Sequence, residues 1–511
     1  MSVTTKAPPS TTGFVRSLGL FQATAINMSQ IVGIGPFVTI PLMVGAFGGP
    51  QAVIGWIAGA VLALADGLIW AELGSSQPGA GGSYVYLREA FQYRTGRLMP
   101  FLFVWTAILF IPLIMSTGIQ GFVQYLGYIW PSITPGQGDL VGLGAILLIF
   151  LLLTRRTQAV GKLPSILWTV VMVAAAAVII AAFTHFSAHR AFTYPPGAFS
   201  LTHGSFWVGF AAGLTIGIYD YLGYNTTAYM GAEVKDPGRV LPRSIIYSIF
   251  AIMGIYLLLQ IGVLGAVDWH AMVDSSNPAS QFVGAVVLQN AWGSGPAKFF
   301  VALILVTALT SVFAGLLGGS RVPFDAAHDG VFFKSYGRLS PRSGVPLLGV
   351  GTVAVVAAVG FLFARHVDNT AAHPPLSTLI ALLTTVMVIV QSMAQIAAVP
   401  VLRKRQAALK RPYKMLLYPM PLIVAFAGWA TVYGWADKAN PGVHPIEFSL
   451  AWVVLGVVAY LGWAKLERTW PFGPKDIREE FFSAQTAAEI PAPTAAPADE
   501  SGDASEEGQV G

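Results

Sequence analysis

The chain has 511 residues, 55% of them hydrophobic and 10% charged, with 29 Lys+Arg against 24 Asp+Glu, 8 His and no Cys. So few charges cannot cover a soluble fold of this length, where about 25% of residues are charged. The same numbers exclude a chain disordered throughout, a nucleic-acid-binding surface and a disulfide-stapled secreted domain.

Residues 1–16 form a polar lead with no apolar segment ahead of a small-residue cleavage site, so no signal peptide is expected. Residues 17–65 then carry no charge. A helix rising about 1.5 Å per residue needs about 20 apolar residues to cross a hydrocarbon core of about 30 Å. That run therefore holds two spans, parted at Gly48-Gly49-Pro50. Uncharged runs recur at 98–138 and from 163 to 402. The expected fold is an all-α polytopic membrane protein with twelve spans. They are predicted at about 21–47, 51–73, 98–127, 138–154, 163–186, 205–230, 243–267, 296–320, 344–364, 375–402, 416–435 and 446–465. Residues 479–511, acidic and rich in Ala, Pro and Ser with no basic residue, read as a disordered tail. With both termini in the cytoplasm, every Lys and Arg except Arg190, Lys298, Arg365 and Lys438 falls on the inner side of a cytoplasmic membrane.

Two spans carry helix-breaking residues. The first contains Gly33-Ile34-Gly35-Pro36. Two glycines permit unwound backbone, and proline suits the first turn of a new helix, where its missing N–H is not needed. An inner half-helix ending near Val32 and an outer one starting near Pro36 would turn a positive dipole end toward an anion such as a carboxylate. A kinked but continuous helix with packing glycines is the alternative. The sixth span reads Tyr219-Asp220-Tyr221-Leu222-Gly223-Tyr224-Asn225-Thr226. Gly223 can break it, and Asn225 is an expected N-cap for a second half. Asp220 is an intramembrane carboxylate, a residue type that usually marks a pathway. Either it lines a pocket with the tyrosines or it pairs with a buried donor and holds the bundle together. Discontinuous helices at matching positions in two halves are the mark of transporters that bind substrate at the midplane. Breaks in spans one and six fit two repeats of five spans, about 21–186 and 205–402, with two helices at about 416–465 appended and a transport domain over 17–470.

Span two adds Asp66 and Glu72. Asp66 is read either as a proton-accepting site or as a helix-locking pair, and Glu72 as a brace for the loop that follows. His185, His189 and His203 read as a solvated outer loop rather than a metal site. No Ser-His-Asp order, Walker loop or H-E-x-x-H helix is present, so an enzyme is not expected and no cofactor or metal is assigned.

The stretch Ala71-Glu72-Leu73-Gly74-Ser75 with Pro78-Gly79-Ala80-Gly81-Gly82-Ser83-Tyr84-Val85-Tyr86-Leu87-Arg88 resembles the most recognisable segment of the amino acid–polyamine–organocation (APC) transporter superfamily. Glu233-Val234-Lys235-Asp236-Pro237 with Leu241-Pro242-Arg243 is similar to its loop after span six. Gly319-Ser320-Arg321 with Ala326-Ala327-His328-Asp329-Gly330 is similar to its loop after span eight, and Arg411-Pro412-Tyr413-Lys414 with Tyr418-Pro419 to the approach to span eleven. The resemblance implies a LeuT-like five-plus-five inverted repeat, alternating access, and amino acids, polyamines or related amines as substrates. It implies a substrate site at Gly33, Ile34, Gly35, Tyr219, Gly223 and Asn225, to which the carboxylate of Asp220 is added. Tyr219 falls where relatives carry a gating aromatic. Three residues depart from the pattern: Ile34 replaces a small hydroxyl residue, Pro36 an aliphatic one, and Asn225 an acid found in polyamine- and agmatine-type relatives. Thr307, Thr310 and Ser311 of span eight match the place where sodium-coupled members hold their ion, although such hydroxyls also serve packing alone. Coupling is expected through a proton at Asp66 or Asp220, with sodium at Thr310 and Ser311 the second choice. The expected function is a secondary-active permease for amino acids or related amines. A polyamine or organic-cation carrier, and a transporter-like sensor or scaffold, are kept as alternatives. The partners are a small-molecule substrate and the bilayer; no oligomeric state is assigned.

Overall fold

A computed structural model describes residues 16–78, 82–154, 163–202, 204–340, 344–367 and 374–473. The expected tail, the Gly79–Gly81 stretch of the motif, Arg155, Arg156, Lys162, His203 and Arg342 lie outside the described residues, as does nearly all of the N-terminal lead.

The apolar runs become helices whose ends fall at Gly, Pro or the first charges. In chain order, the first span is α1 (Leu20–Ile31) and α2 (Gly35–Phe47), two rods bent by 53° at the break. Gly48 ends α2 in the left-handed conformation, and α3 (Val53–Ser76) returns across the bundle. A helix in the expected loop follows, α4 (Ser83–Thr95), with α5 (Leu98–Ile129), α6 (Pro135–Thr154), α7 (Leu163–Thr184) and the short α8 (Ala188–Phe192). The sixth span is α9 (Gly204–Tyr221) and a single turn, α10 (Thr226–Tyr229). Then come α11 (Pro237–Ala266), α12 (Trp269–Val273), α13 (Ala279–Trp292) and α14 (Ser294–His328). The remainder is α15 (Leu347–His366), α16 (Pro375–Met387) continued through a π segment into α17 (Ala394–Arg405), α18 (Met420–Gly434), α19 (Ala436–Ala439) and α20 (Pro445–Leu466).

The chain is therefore an all-α polytopic membrane protein. Among the described residues, eight helices are long and apolar enough to cross a membrane, nine with the bent first pair. The count of twelve is not reached by that measure for physical reasons. The sixth span stops at Tyr221, α18 has only 15 residues, and the described apolar part of α7 is Trp168–Thr184. Two family-like loops are also helical: Leu241-Pro242-Arg243 lies inside α11, and Gly319 to His328 inside α14. Both stretches carry charge, which ends a span by composition without ending the helix.

α5 is the central post, packing on α14, α15, α16 and α20. Its seam with α14 and α15 is a dry cluster that includes Met115, Ile119, Val312, Leu316, Val353 and Phe361. Around it, α1, α3, α9 and α11 pack on one another. The strand-like stretch before α1 pairs with the chain after α10: the amides of Ser17 and Leu18 donate to the Glu233 carbonyl (2.9 and 3.1 Å), and Lys235 donates back to Leu18 (2.9 Å). The start of the first span is thus tied to the end of the sixth.

Candidate substrate site

α1 closes with the Val32 amide on the Met28 carbonyl (2.9 Å), and Pro36 stands in the first turn of α2. Val32 to Ile34 lie between the helices, so the first span is broken and not merely kinked. α9 ends at Tyr221 and the chain turns at Gly223, whose φ of +118° is open to glycine. A Cβ at Gly223 would also stand 2.8 Å from the Gln30 carbonyl carbon, so the two breaks touch there.

Ends of broken helices leave peptide groups unpaired. Tyr256 of α11 serves two of them: its hydroxyl lies 3.0 Å from the Asp220 carbonyl and 3.3 Å from the Ile31 carbonyl. Its ring is fixed between Trp56 and Tyr221, with centroids 4.8 and 5.4 Å away. Asn27 of α1, wholly buried, accepts the Thr227 amide at 3.0 Å. The cap of α10 therefore comes from another span. Asn225 occupies the N-cap position but its side chain makes no capping bond, contrary to the sequence expectation. Neither Tyr256 nor Asn27 is signalled by a motif, since both act across distant sequence.

Between the breaks lies a cavity of about 130 Å³. Gly33, Ile34, Gly35, Tyr219, Asp220 and Ser311 all line it, as predicted residues brought together by the fold. Gly223, Asn225, Asp66 and Thr310 are not part of its wall. Apolar side chains, including Ile114, Met115, Val171 and Val312, make up much of the remainder, with Trp168. Among the described residues, Asp220 is the one charged residue that lines the cavity. That carboxylate accepts a hydrogen bond from Thr39, and its Oδ1 faces the first residue of α2: a Cβ at Gly35 would stand 2.2 Å away. The positive end of the α2 dipole thus lies beside it. Tyr219 is fixed by a 2.7 Å hydroxyl contact to Thr117 of α5. Ile34 turns its side chain to α5, where the absent side chain of Gly121 makes room for it.

Of Thr307, Thr310 and Ser311, only Ser311 lines the cavity, its Oγ 3.8 Å from where a Gly33 Cβ would be. Thr307 and Thr310 donate to carbonyls of their own helix, Leu303 and Val306. Asp66 is buried elsewhere, accepting from the Tyr224 hydroxyl (2.6 Å) and the Trp429 indole (3.2 Å). It locks α3 to the chain just past Gly223 and to α18. Among the described residues, the partners of the Glu72 carboxylate are Arg403 and Met415 rather than the loop after its own span. The carboxylate takes two bonds from Arg403 at the end of α17 (2.7 and 2.6 Å) and one from the Met415 amide (2.8 Å). His185 contacts the Thr184 hydroxyl (3.0 Å), and among the described residues no three His, Cys, Asp or Glu are grouped as for a metal.

A larger vestibule of about 1260 Å³ adjoins the site along α5, from Gln120 to Gly127, and is walled by residues of α2, α9, α12 and α16. Among the described residues, Arg365 is the one charged residue on its wall, bound to Asp139 and to Gln120 (3.3 Å).

Sequence comparison agrees with this arrangement. The model of the family described as amino acid permease matches residues 18–460. The branched-chain amino acid permease BcaP of Lactococcus lactis is 26% identical over 461 residues, covering 86% of this chain and 92% of that protein. The serine/threonine exchanger SteT of Bacillus subtilis is 24% identical, covering 83% and 91%. The aspartate-proton symporter of the same organism is 24% identical, covering 82% and 81%. A multi-pass helical chain with two facing helix breaks, matched over nearly all its described length, belongs to the amino acid permease family of the APC superfamily.

Proposed function

We propose that this permease carries neutral amino acids with aliphatic side chains, coupled to protons at Asp220, by alternating access across a cytoplasmic membrane with both termini inside. The observation that supports this most is the cavity itself: unwound backbone of both breaks on one side, aliphatic walls on the other, and one carboxylate. The amides of Gly33, Ile34 and Gly35 suit the substrate's carboxylate, Asp220 its ammonium, and Ile114, Met115, Val171 and Val312 its side chain. The name of the Lactococcus relative, a branched-chain amino acid permease, points the same way. Breaks in the first and sixth spans fit the five-plus-five repeat.

Proton coupling is supported by hydrogen-bond arithmetic. Thr39 has one hydroxyl proton and two acceptors in reach, Asp220 and the Gly35 carbonyl (3.0 Å). It can donate to an ionised Asp220, or accept from a protonated one and donate to Gly35. Both charge states of Asp220 are therefore accommodated without moving the backbone. Sodium needs several oxygens, and of Thr307, Thr310 and Ser311 only Ser311 lines the cavity. A polyamine carrier would call for more negative charge than one carboxylate.

The test is uptake into proteoliposomes. Any side chain at Gly35 collides with Asp220, so Gly35→Leu in inserted, folded protein is expected to reduce uptake of labelled valine or leucine to background. Unchanged uptake in that variant would remove the site assignment. Asp220→Asn is expected to abolish accumulation driven by a pH gradient, and accumulation at the wild-type level would remove the proton assignment. Competition by putrescine and not by neutral amino acids would transfer the site to organic cations.

A further inference from the structure

The seam between α5 and α14 alternates large residues over glycines. A Cβ at Gly319 would lie 2.6 Å from Ile111 Cγ2, one at Gly118 would lie 2.8 Å from Val312 Cγ2, and one at Gly315 would lie 1.9 Å from the Met115 sulfur. The first pair has no member on the cavity wall. The second and third border the cavity, through Gly118, Val312, Met115 and Gly315. Val312 is β-branched and stiff. Met115 is unbranched, with three rotatable bonds and a polarizable sulfur that adapts to irregular space. Its thioether rests in a hollow that exists only because position 315 has no side chain.

We propose that Met115 and Gly315 together set the size limit of the substrate's side chain. The hollow at Gly315 parks the Met115 thioether against α14, and how far the thioether retracts fixes how deep a substrate side chain can reach. This rests on the reading that the cavity between the breaks binds an amino acid. Two opposite changes follow. Met115→Ala removes the movable wall and deepens the pocket. Gly315→Ala fills the hollow and drives the thioether toward the substrate.

The test is the ratio of kcat/KM values within one preparation, for alanine, valine, leucine and phenylalanine in proteoliposomes. A ratio is independent of the folded fraction, so partial misfolding of Gly315→Ala leaves it readable. One methylene in an apolar pocket discriminates by roughly tenfold or more. Met115→Ala is expected to raise phenylalanine over valine by roughly tenfold or more. Gly315→Ala is expected to shift preference by a similar factor toward alanine, and the double variant, which has no thioether to displace, to keep the Met115→Ala order. A purely structural seam would lower transport of all four substrates by one factor. Unchanged ratios in both single variants would overturn the proposal while leaving the cavity as the site, provided Gly35→Leu still abolishes uptake. If Gly35→Leu transports normally, the underlying reading falls and takes this one with it.

Discussion

Tyr256 and Asn27 show how single side chains make a broken helix affordable in a membrane. A peptide group that lacks a partner in hydrocarbon is unfavourable, and each break frees several. Tyr256 donates to the last carbonyl of α1 and the next-to-last of α9, and Asn27 accepts the second amide of α10. Tyr256→Phe keeps the ring between Trp56 and Tyr221 and removes only the donor. Stranding a buried acceptor costs roughly 1–3 kcal/mol, so a lower melting temperature and slower uptake are expected together. A melting curve identical to wild type would show that those carbonyls need no donor. On the vestibule side, Asp268 caps α12 through the His270 amide (2.9 Å), and that bond holds its carboxyl below the ordinary value of 3.8. A depressed acid contributes above its unfolded value and loses that contribution only as pH falls through the lower folded value. Its own charge is therefore constant between pH 5.5 and 7.5. Asp268→Ala is expected to lower the melting temperature through loss of the α12 cap, and an unchanged melt would show that α12 needs none.

At the scale of elements, the ends of α3 and α17 are joined by Glu72 and Arg403, whose guanidinium also covers the Tyr418 ring at 3.8 Å. Glu72 is 2% exposed at its side chain and Arg403 26%. Removing one member of a buried pair costs about 3–5 kcal/mol because the other is left charged, whereas replacing both by apolar groups is often neutral. Arg403→Ala is thus expected to unfold the protein at markedly lower temperature, and Glu72→Leu with Arg403→Met to recover most of the loss in a thermal melt. No recovery would mean that the pair's geometry, not the stranded charge, matters. The break in the first span is legible in sequence because glycines and a proline within four residues act locally. The break at Gly223 is legible for the same reason. The partners of Asp66, Glu72 and Asn27 are not, since each lies on a distant span and composition carries no register between spans. Nor are α4 and the C-terminal end of α14, where charge interrupts hydropathy but not the helix.

For the molecule as a whole, the ties across the cavity show what must move. Tyr219 of α9 is held by Thr117 of α5, and the Phe37 carbonyl of α2 by Tyr125 of α5 (2.9 Å). If the helices bearing the breaks rock against the α5–α14 unit, these bonds open in each cycle, and a covalent tie at the same level stops transport. The chain contains no cysteine, so an engineered pair brings the only thiols. Gly33 and Ser311 suit this, one in the first break and one on α14. A Cβ at Gly33 would lie 3.8 Å from Ser311 Oγ, the atom that a cysteine sulfur would replace, and a disulfide forms once the two Cβ atoms come within about 3.5–4.5 Å of each other. Gly33→Cys with Ser311→Cys is expected to crosslink on oxidation, to lose uptake, and to regain on reduction the rate seen before oxidation. Gly33→Cys alone, oxidised in parallel, separates the tie from the effect of the added side chain. Transport that continues at the reduced rate in fully crosslinked protein would mean that the first break does not move against α14, and that access alternates by some smaller rearrangement within the cavity wall.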